Sequence, residues 1–88
     1  MPEVVHAFFF TAPCLEKLGR RGIDPREVEQ MRWNGYRVRP NPRERGLAPP
    51  LRRRRFFTGR TEGGRKLTLV IEMTMDPTAW IVITGWES

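Results

Sequence analysis

Cysteine and histidine are nearly absent from this chain, which has only Cys14 and His6. A lone cysteine excludes an intramolecular disulfide, and without a CxxC pair or a His/Cys cluster no metal-ligand spacing can be read. Such usage fits a cytoplasmic protein. No apolar run is long enough to span a bilayer. The apolar stretch within residues 1–13 is not preceded by basic residues or followed by a clean small-residue cleavage site, so it does not read as a signal peptide. Paired catalytic carboxylates, a Gly-rich phosphate loop and a Ser/His/Asp set are also missing, and the Gly63-Gly64 pair reads as a turn. No metal or other cofactor is expected.

Positive charge is abundant and one-sided. Residues 37–66 hold ten arginines and one lysine against two glutamates, a local net of +9. The residues before them balance, and the residues after them carry −3, which leaves +6 overall. Arginine outnumbers lysine fourteen to two, and its rigid fork of donors can hold two phosphate oxygens at once. Charge segregated in this way points to a polyanion partner. At 88 residues and 39% hydrophobic content, the chain suits one domain over residues 1–88. Its small core would bury roughly two thirds of the unfolded surface, so a partner chain is expected to add stability.

Val4 to Phe10 is rich in β-branched and aromatic residues and predicts a first strand. Thr11 can cap a short helix with Pro13 in its first turn, and Cys14, Leu15 and Leu18 give it an apolar stripe. The run Ile23-Asp24-Pro25-Arg26-Glu27-Val28 predicts a second helix: Asp24 as N-cap, Pro25 at the first helical position, Glu27 closing a capping box, and Ile23 stapled to Val28. That helix should run to about Trp33, with Val28 and Met31 inward, and stop at Asn34-Gly35. After a short alternating piece at Tyr36 and Val38, the prolines of residues 41–51 predict a mobile polar loop. Three strands then follow as a meander: Arg53 to Thr61, Arg65 to Thr74 and Ala79 to Trp86, with turns at Glu62-Gly63-Gly64 and Asp76-Pro77-Thr78. The expected fold is α+β, a twisted antiparallel sheet of about four strands with two helices on one face, in the order β-α-α-β-β-β.

Alternation in the middle strand of the meander puts Leu67, Leu69, Ile71 and Met73 on a core face and Lys66, Thr68, Val70 and Glu72 on the other. In either of two registers considered for the glycine turn, Phe56 is expected to join the core face. Arg53, Arg55 and Phe57 would then share the face of Lys66 and Glu72, with Arg53 or Arg55 opposite Glu72.

A surface of this kind attracts phosphate backbones at long range. Release of counterions from roughly seven neutralised phosphates would make binding strongly salt-dependent. Arg53, Arg54, Arg55, Arg60, Arg65 and Lys66 are the candidate RNA-binding cations. Phe57 is a candidate stacking residue on the hairpin, with Tyr36 and Trp80 or Trp86 nearby, though each of these aromatics reads first as core packing. The same arginines would also suit a solvated surface or a docking face for an acidic protein. A metal-independent ribonuclease further needs an acid and a base. His6 is the only imidazole and otherwise reads as structural; Glu72 shares a face with the cations and otherwise reads as an ion-pair partner.

The order of elements, together with the runs from Leu15 to Val28 and from Phe57 to Val70, resembles the BrnT-like group of small bacterial toxins and a neighbouring family of unknown function. The similarity covers roughly residues 15 to 85. It implies a RelE-like fold and the toxin of a type II toxin–antitoxin system. Such a toxin is an endoribonuclease that cleaves mRNA and inhibits translation until a cognate antitoxin with an acidic segment covers it. On the matching motifs, Arg54 or Arg55, the Gly59-Arg60 pair and the Gly64-Arg65 pair correspond to the family's site, so Arg60 and Arg65, with Glu72 and His6, are the catalytic candidates. The family commonly ends in a basic tail, whereas this chain ends Thr84-Gly85-Trp86-Glu87-Ser88. A non-catalytic nucleic-acid-binding or regulatory module is the alternative.

Overall fold

The computed structural model of the protein describes residues 3–88. Strand β1 (Ala7–Phe10) leads into helix α1 (Ala12–Arg20), whose N-cap Thr11 accepts the Cys14 amide at 3.3 Å. Helix α2 (Pro25–Met31) begins with the complete capping box. The Asp24 carboxylate accepts the Arg26 amide at 2.8 Å, and Glu27 reaches back to the Asp24 amide at 3.1 Å. Strand β2 (Tyr36–Pro40), a strap with two 3-10 turns (Pro42–Glu44 and Pro49–Leu51), β3 (Arg54–Arg60), β4 (Lys66–Met73) and β5 (Ala79–Glu87) complete the chain.

The architecture is α+β, with one mixed five-stranded sheet in the order β1-β5-β4-β3-β2. This corrects the expected four-stranded antiparallel sheet in two ways. Tyr36–Pro40 is a full strand that pairs antiparallel with β3, and β1 runs parallel to β5. Parallel pairing needs a long crossover that carries no local turn signature, so a scan for hairpins does not find it.

Both helices lie on one face. Added Cβ atoms at Gly85 (β5) and Gly59 (β3) would meet Leu18 of α1 and Met31 of α2, respectively. Cys14, Leu18, Val28 and Met31 enter the core from the helices and meet Phe57, Leu67, Leu69, Ile71, Trp80 and Val82 from the sheet. Burial also pushes the Cys14 thiol above its ordinary pKa.

The β3–β4 hairpin has the other parity from the one expected. Its loop is three residues, Glu62-Gly63-Gly64, closed by the Thr61 amide on the Arg65 carbonyl at 2.9 Å, with Gly64 at φ +86°. An odd loop pairs odd-numbered residues with odd, so Phe57 sits opposite Leu69 and Arg54 opposite Glu72. Phe57 is therefore fully buried, edge-on to Phe8 at 5.1 Å and stacked on Tyr36 at 4.6 Å, while Phe56 turns to the opposite face. A one-residue change of register moves every side chain to the other side.

The proline-rich segment is organised internally. Arg52 donates to the Leu47 and Arg45 carbonyls at 2.7 and 2.9 Å, Asn41 accepts the Arg43 amide at 3.0 Å, and Glu44 accepts the Arg54 amide at 3.0 Å.

Candidate nucleic-acid interface

The face of the sheet away from the helices is open except where the strap reaches its Phe56 and Val70 end, and the pairing fixes what it presents. One row joins Arg60 to Lys66. The next joins Arg37, Thr58, Thr68 and Trp86, and a third joins Arg39, Phe56, Val70 and Thr84. Directly paired neighbours in such rows have Cβ atoms about 5 Å apart. Arg37, Arg39, Arg60 and Lys66 thus converge on a cleft of about 710 Å³ that is floored by Thr58 and Gly59 and flanked by Asn34 and Gly35. Below it the Thr58 and Thr68 hydroxyls meet at 3.3 Å, and Thr68 meets Ser88 at 2.6 Å.

These four cations gather in one cleft, and none of them meets a carboxylate among the described residues. Every ion pair among the described residues uses Arg20, Arg26, Arg32, Arg54, Arg55 or Arg65 instead. Arg60 donates only to the Gly64 carbonyl, at 3.1 Å. Four like charges gathered without counter-charge destabilise the face until an anion binds there. A second hollow of about 760 Å³, under the strap, also contains Arg39, but it includes Glu3 and Glu44 and is not a uniformly cationic surface.

The predicted site residues divide between surfaces. Arg60 and Lys66 line the cleft. Arg54 and Glu72 share the open face, but as an ion pair at 3.1 Å, so Glu72 is already engaged. Arg55 points to the helix side and pairs with Glu3 at 2.9 Å. Arg53 donates to the Met73 carbonyl at 3.1 Å, at the far end of the hairpin. Arg65 is a brace: it holds Glu27 of α2 at 3.0 Å, Glu87 of β5 at 2.9 Å and the Gly22 carbonyl at 3.0 Å. The Glu87 hydrogen bond, with Glu27 behind it, raises its pKa above the ordinary guanidinium value.

Two of these assignments are corrected outright. Phe57 is fully buried and cannot stack on a base. His6 is exposed but precedes β1, where its amide donates to the Thr78 carbonyl at 2.8 Å. The pairing of Ala7 with Ala79 puts it on the edge opposite β2 and at the end away from Arg60 and Lys66. No imidazole therefore serves the cleft. Trp80, with its Nε1 donating to the Val4 carbonyl at 3.2 Å, and Tyr36, whose hydroxyl accepts the Val5 amide at 3.2 Å, also belong to the core side.

Sequence reading missed Arg37 and Arg39. Their alternation with Tyr36 and Val38 was the available signal, because inward Tyr36 and Val38 require outward arginines. Among the described residues, no group of three His, Cys, Asp or Glu side chains is arranged to hold a metal ion. No helix is long and apolar enough to cross a membrane. No family model, curated protein or solved structure matches the chain.

Proposed function

We propose that the open face binds RNA and that the protein acts as a BrnT-like toxin, a RelE-like cytoplasmic inhibitor of translation held in check by an antitoxin with an acidic segment. The observation that carries the RNA-binding reading is the quartet Arg37, Arg39, Arg60 and Lys66 around one cleft without a carboxylate partner. Arginine forks suit phosphate oxygens. A fixed cluster of cations also stabilises the extra negative charge that develops when a phosphodiester is attacked by its own 2′-hydroxyl. Within the quartet, only a lysine readily gives up a proton, so in this reading Lys66 protonates the leaving 5′ oxygen while the 2′-hydroxyl proton passes to solvent water.

A second reading, a non-catalytic RNA-binding or regulatory module, is favoured by one specific observation. The acidic candidate on the face, Glu72, is tied to Arg54 at the other end of the hairpin, and the only imidazole lies at the opposite corner of the sheet. One variant separates the two. Lys66→Arg keeps the charge and removes the transferable proton, so under the toxin reading it retains RNA binding but loses cleavage and growth arrest. If the wild-type protein, expressed alone and folded, neither slows growth nor cuts mRNA on or off ribosomes, only the binding role survives. If it also fails to bind RNA at low salt, both readings fall.

A further inference from the structure

Beside the cationic cleft the open face turns apolar. Phe56 of β3 and Trp86 of β5 meet edge to face, with ring centroids 6.0 Å apart and planes at 86°. Together with Val70, Ile83 and Thr84 they line a cavity of about 280 Å³. This is slightly below the usual range for drug-sized ligands, and so of a size for one small ring system. Its position is built by an irregularity. The β4–β5 pairing shifts between Val70 and Ile71, so that Thr84 faces Val70 while Val82 faces Ile71, leaving Ile83 as the extra residue. A bulge of this kind bends a strand and re-aims its side chains, and bulges gather beside functional sites.

The rim is polar. Arg43 and Asn41 come from the strap, Arg54 from β3, and Arg21 from the end of α1. Arg21 is engaged with the Gly85 carbonyl at 2.7 Å, where β5 extends beyond β1, and Arg54 is engaged with Glu72. Arg43 has no carboxylate partner among the described residues. Asn41 is 8% exposed, and its Oδ1 is spent on the Arg43 amide. Its side-chain NH₂ has no hydrogen-bond partner among the described residues, and the residue lines the cavity. An aromatic and aliphatic lining, one amide donor and a cation on the rim match a nucleobase attached to a phosphate, because every base offers a π-face and an acceptor edge.

We propose that this cavity holds one unpaired base, so that the face takes RNA as a single strand with a base against Trp86 and Phe56 and the adjoining phosphates on the quartet. The inference rests on the RNA-binding reading of that face. The geometry is continuous, since Phe56 shares its row with Arg39 and Trp86 shares its row with Arg37. A duplex keeps its bases stacked and paired, and its phosphates could reach the cations without filling the cavity.

The test uses the full chain carrying Trp33→Phe, which removes the exposed indole and leaves Trp86 as the accessible reporter, Trp80 being buried. Three probes of equal length are titrated at fixed salt: a single-stranded RNA, a duplex RNA and an abasic strand. The expected result is quenching of Trp86 by the single strand alone, with that probe bound about tenfold or more tightly than the abasic one. Trp86→Ala should remove that margin and leave abasic binding unchanged. The quenching readout stands even where Trp86→Ala does not fold. Equal binding of all three probes without quenching overturns the base pocket and leaves the phosphate-binding face intact. Binding of none of them overturns the RNA reading itself.

Discussion

Arg54, Arg55 and Arg65 each meet a carboxylate within 3.1 Å, whereas Arg37, Arg39, Arg60 and Lys66 meet none among the described residues, although all seven lie in the same basic stretch. The first group joins elements: Arg65 ties the start of α2 to the end of β5, and Arg55 ties β3 to the segment before β1. The second group projects from one sheet face into solvent. Local charge density therefore marks the region but not the site. The site is the end of the open face where strand alternation collects cations away from the Arg54–Glu72 pair, and this separation of scaffold from surface can be broken by substitution.

The largest effect should come from the side that holds the fold. Phe57→Ala removes a fully buried ring between Phe8 and Tyr36 and is expected to cost about 3–5 kcal/mol. That is a large share of the stability of so small a domain. Phe56→Ala, on the open face, should cost much less. Urea denaturation of the two variants compares them directly, and a larger loss for Phe56→Ala would show that the hairpin register is wrong.

The next effect separates the two arginine groups. Replacing Arg37, Arg39, Arg60 and Lys66 with alanine should lower the slope of log affinity against log salt by about 0.7 per residue removed. Thermal stability should hold or rise, because like charges have been taken apart. Arg65→Ala should do the opposite, lowering the melting temperature while leaving the salt slope unchanged. A fall in salt slope for Arg65→Ala equal to that of a quartet member would erase the distinction.

These contrasts also show what could be read without coordinates. The α2 capping box was legible because Asp24, Pro25 and Glu27 act within one turn, and so was the inward set Leu67, Leu69 and Ile71, because alternation is local. Parity across the glycine turn was not secured, since a single residue of loop length decides whether Phe56 or Phe57 goes inside. The role of Arg65 was equally hidden. Its partners, Glu27 and Glu87, are 38 and 22 residues away in sequence and meet it only through the tertiary fold. Arg37 and Arg39 were visible as charges, but their membership of the cleft depends on β2 pairing with β3.

A smaller effect tests packing beneath the sheet. A Cβ at Gly85 would lie 2.6 Å from the Leu69 Cδ2 atom and 3.3 Å from the Thr68 carbonyl oxygen. Gly85→Ala therefore overfills the contact of β5 with Leu69 of β4, with Leu18 of α1 next at 3.4 Å, and should cost about 1–3 kcal/mol. Denaturant unfolding measures it, and an unchanged midpoint would mean that the Leu69 side chain gives way there at no cost.

The smallest effect is acid lability confined to the scaffold. Hydrogen bonds from the Arg26 side chain and amide hold the Asp24 carboxyl below its ordinary pKa of 3.8, and the Thr78 amide and hydroxyl do the same for Asp76. A depressed folded-state pKa contributes stability that is fully present above 3.8 and is lost as pH falls through the lowered folded values. Arginine stays charged throughout that range, so the open face keeps its cations while the scaffold weakens. Asp24→Asn preserves a good N-cap and removes only the titrating charge, and Asp76→Asn likewise removes the second. The double variant should melt slightly below wild type at pH 6 and converge with it as pH falls through the lowered folded values, because protonation then deprives wild type of the same interactions. Melting curves that stay parallel across that interval would mean that neither carboxylate is bound more tightly in the folded chain than in the unfolded one.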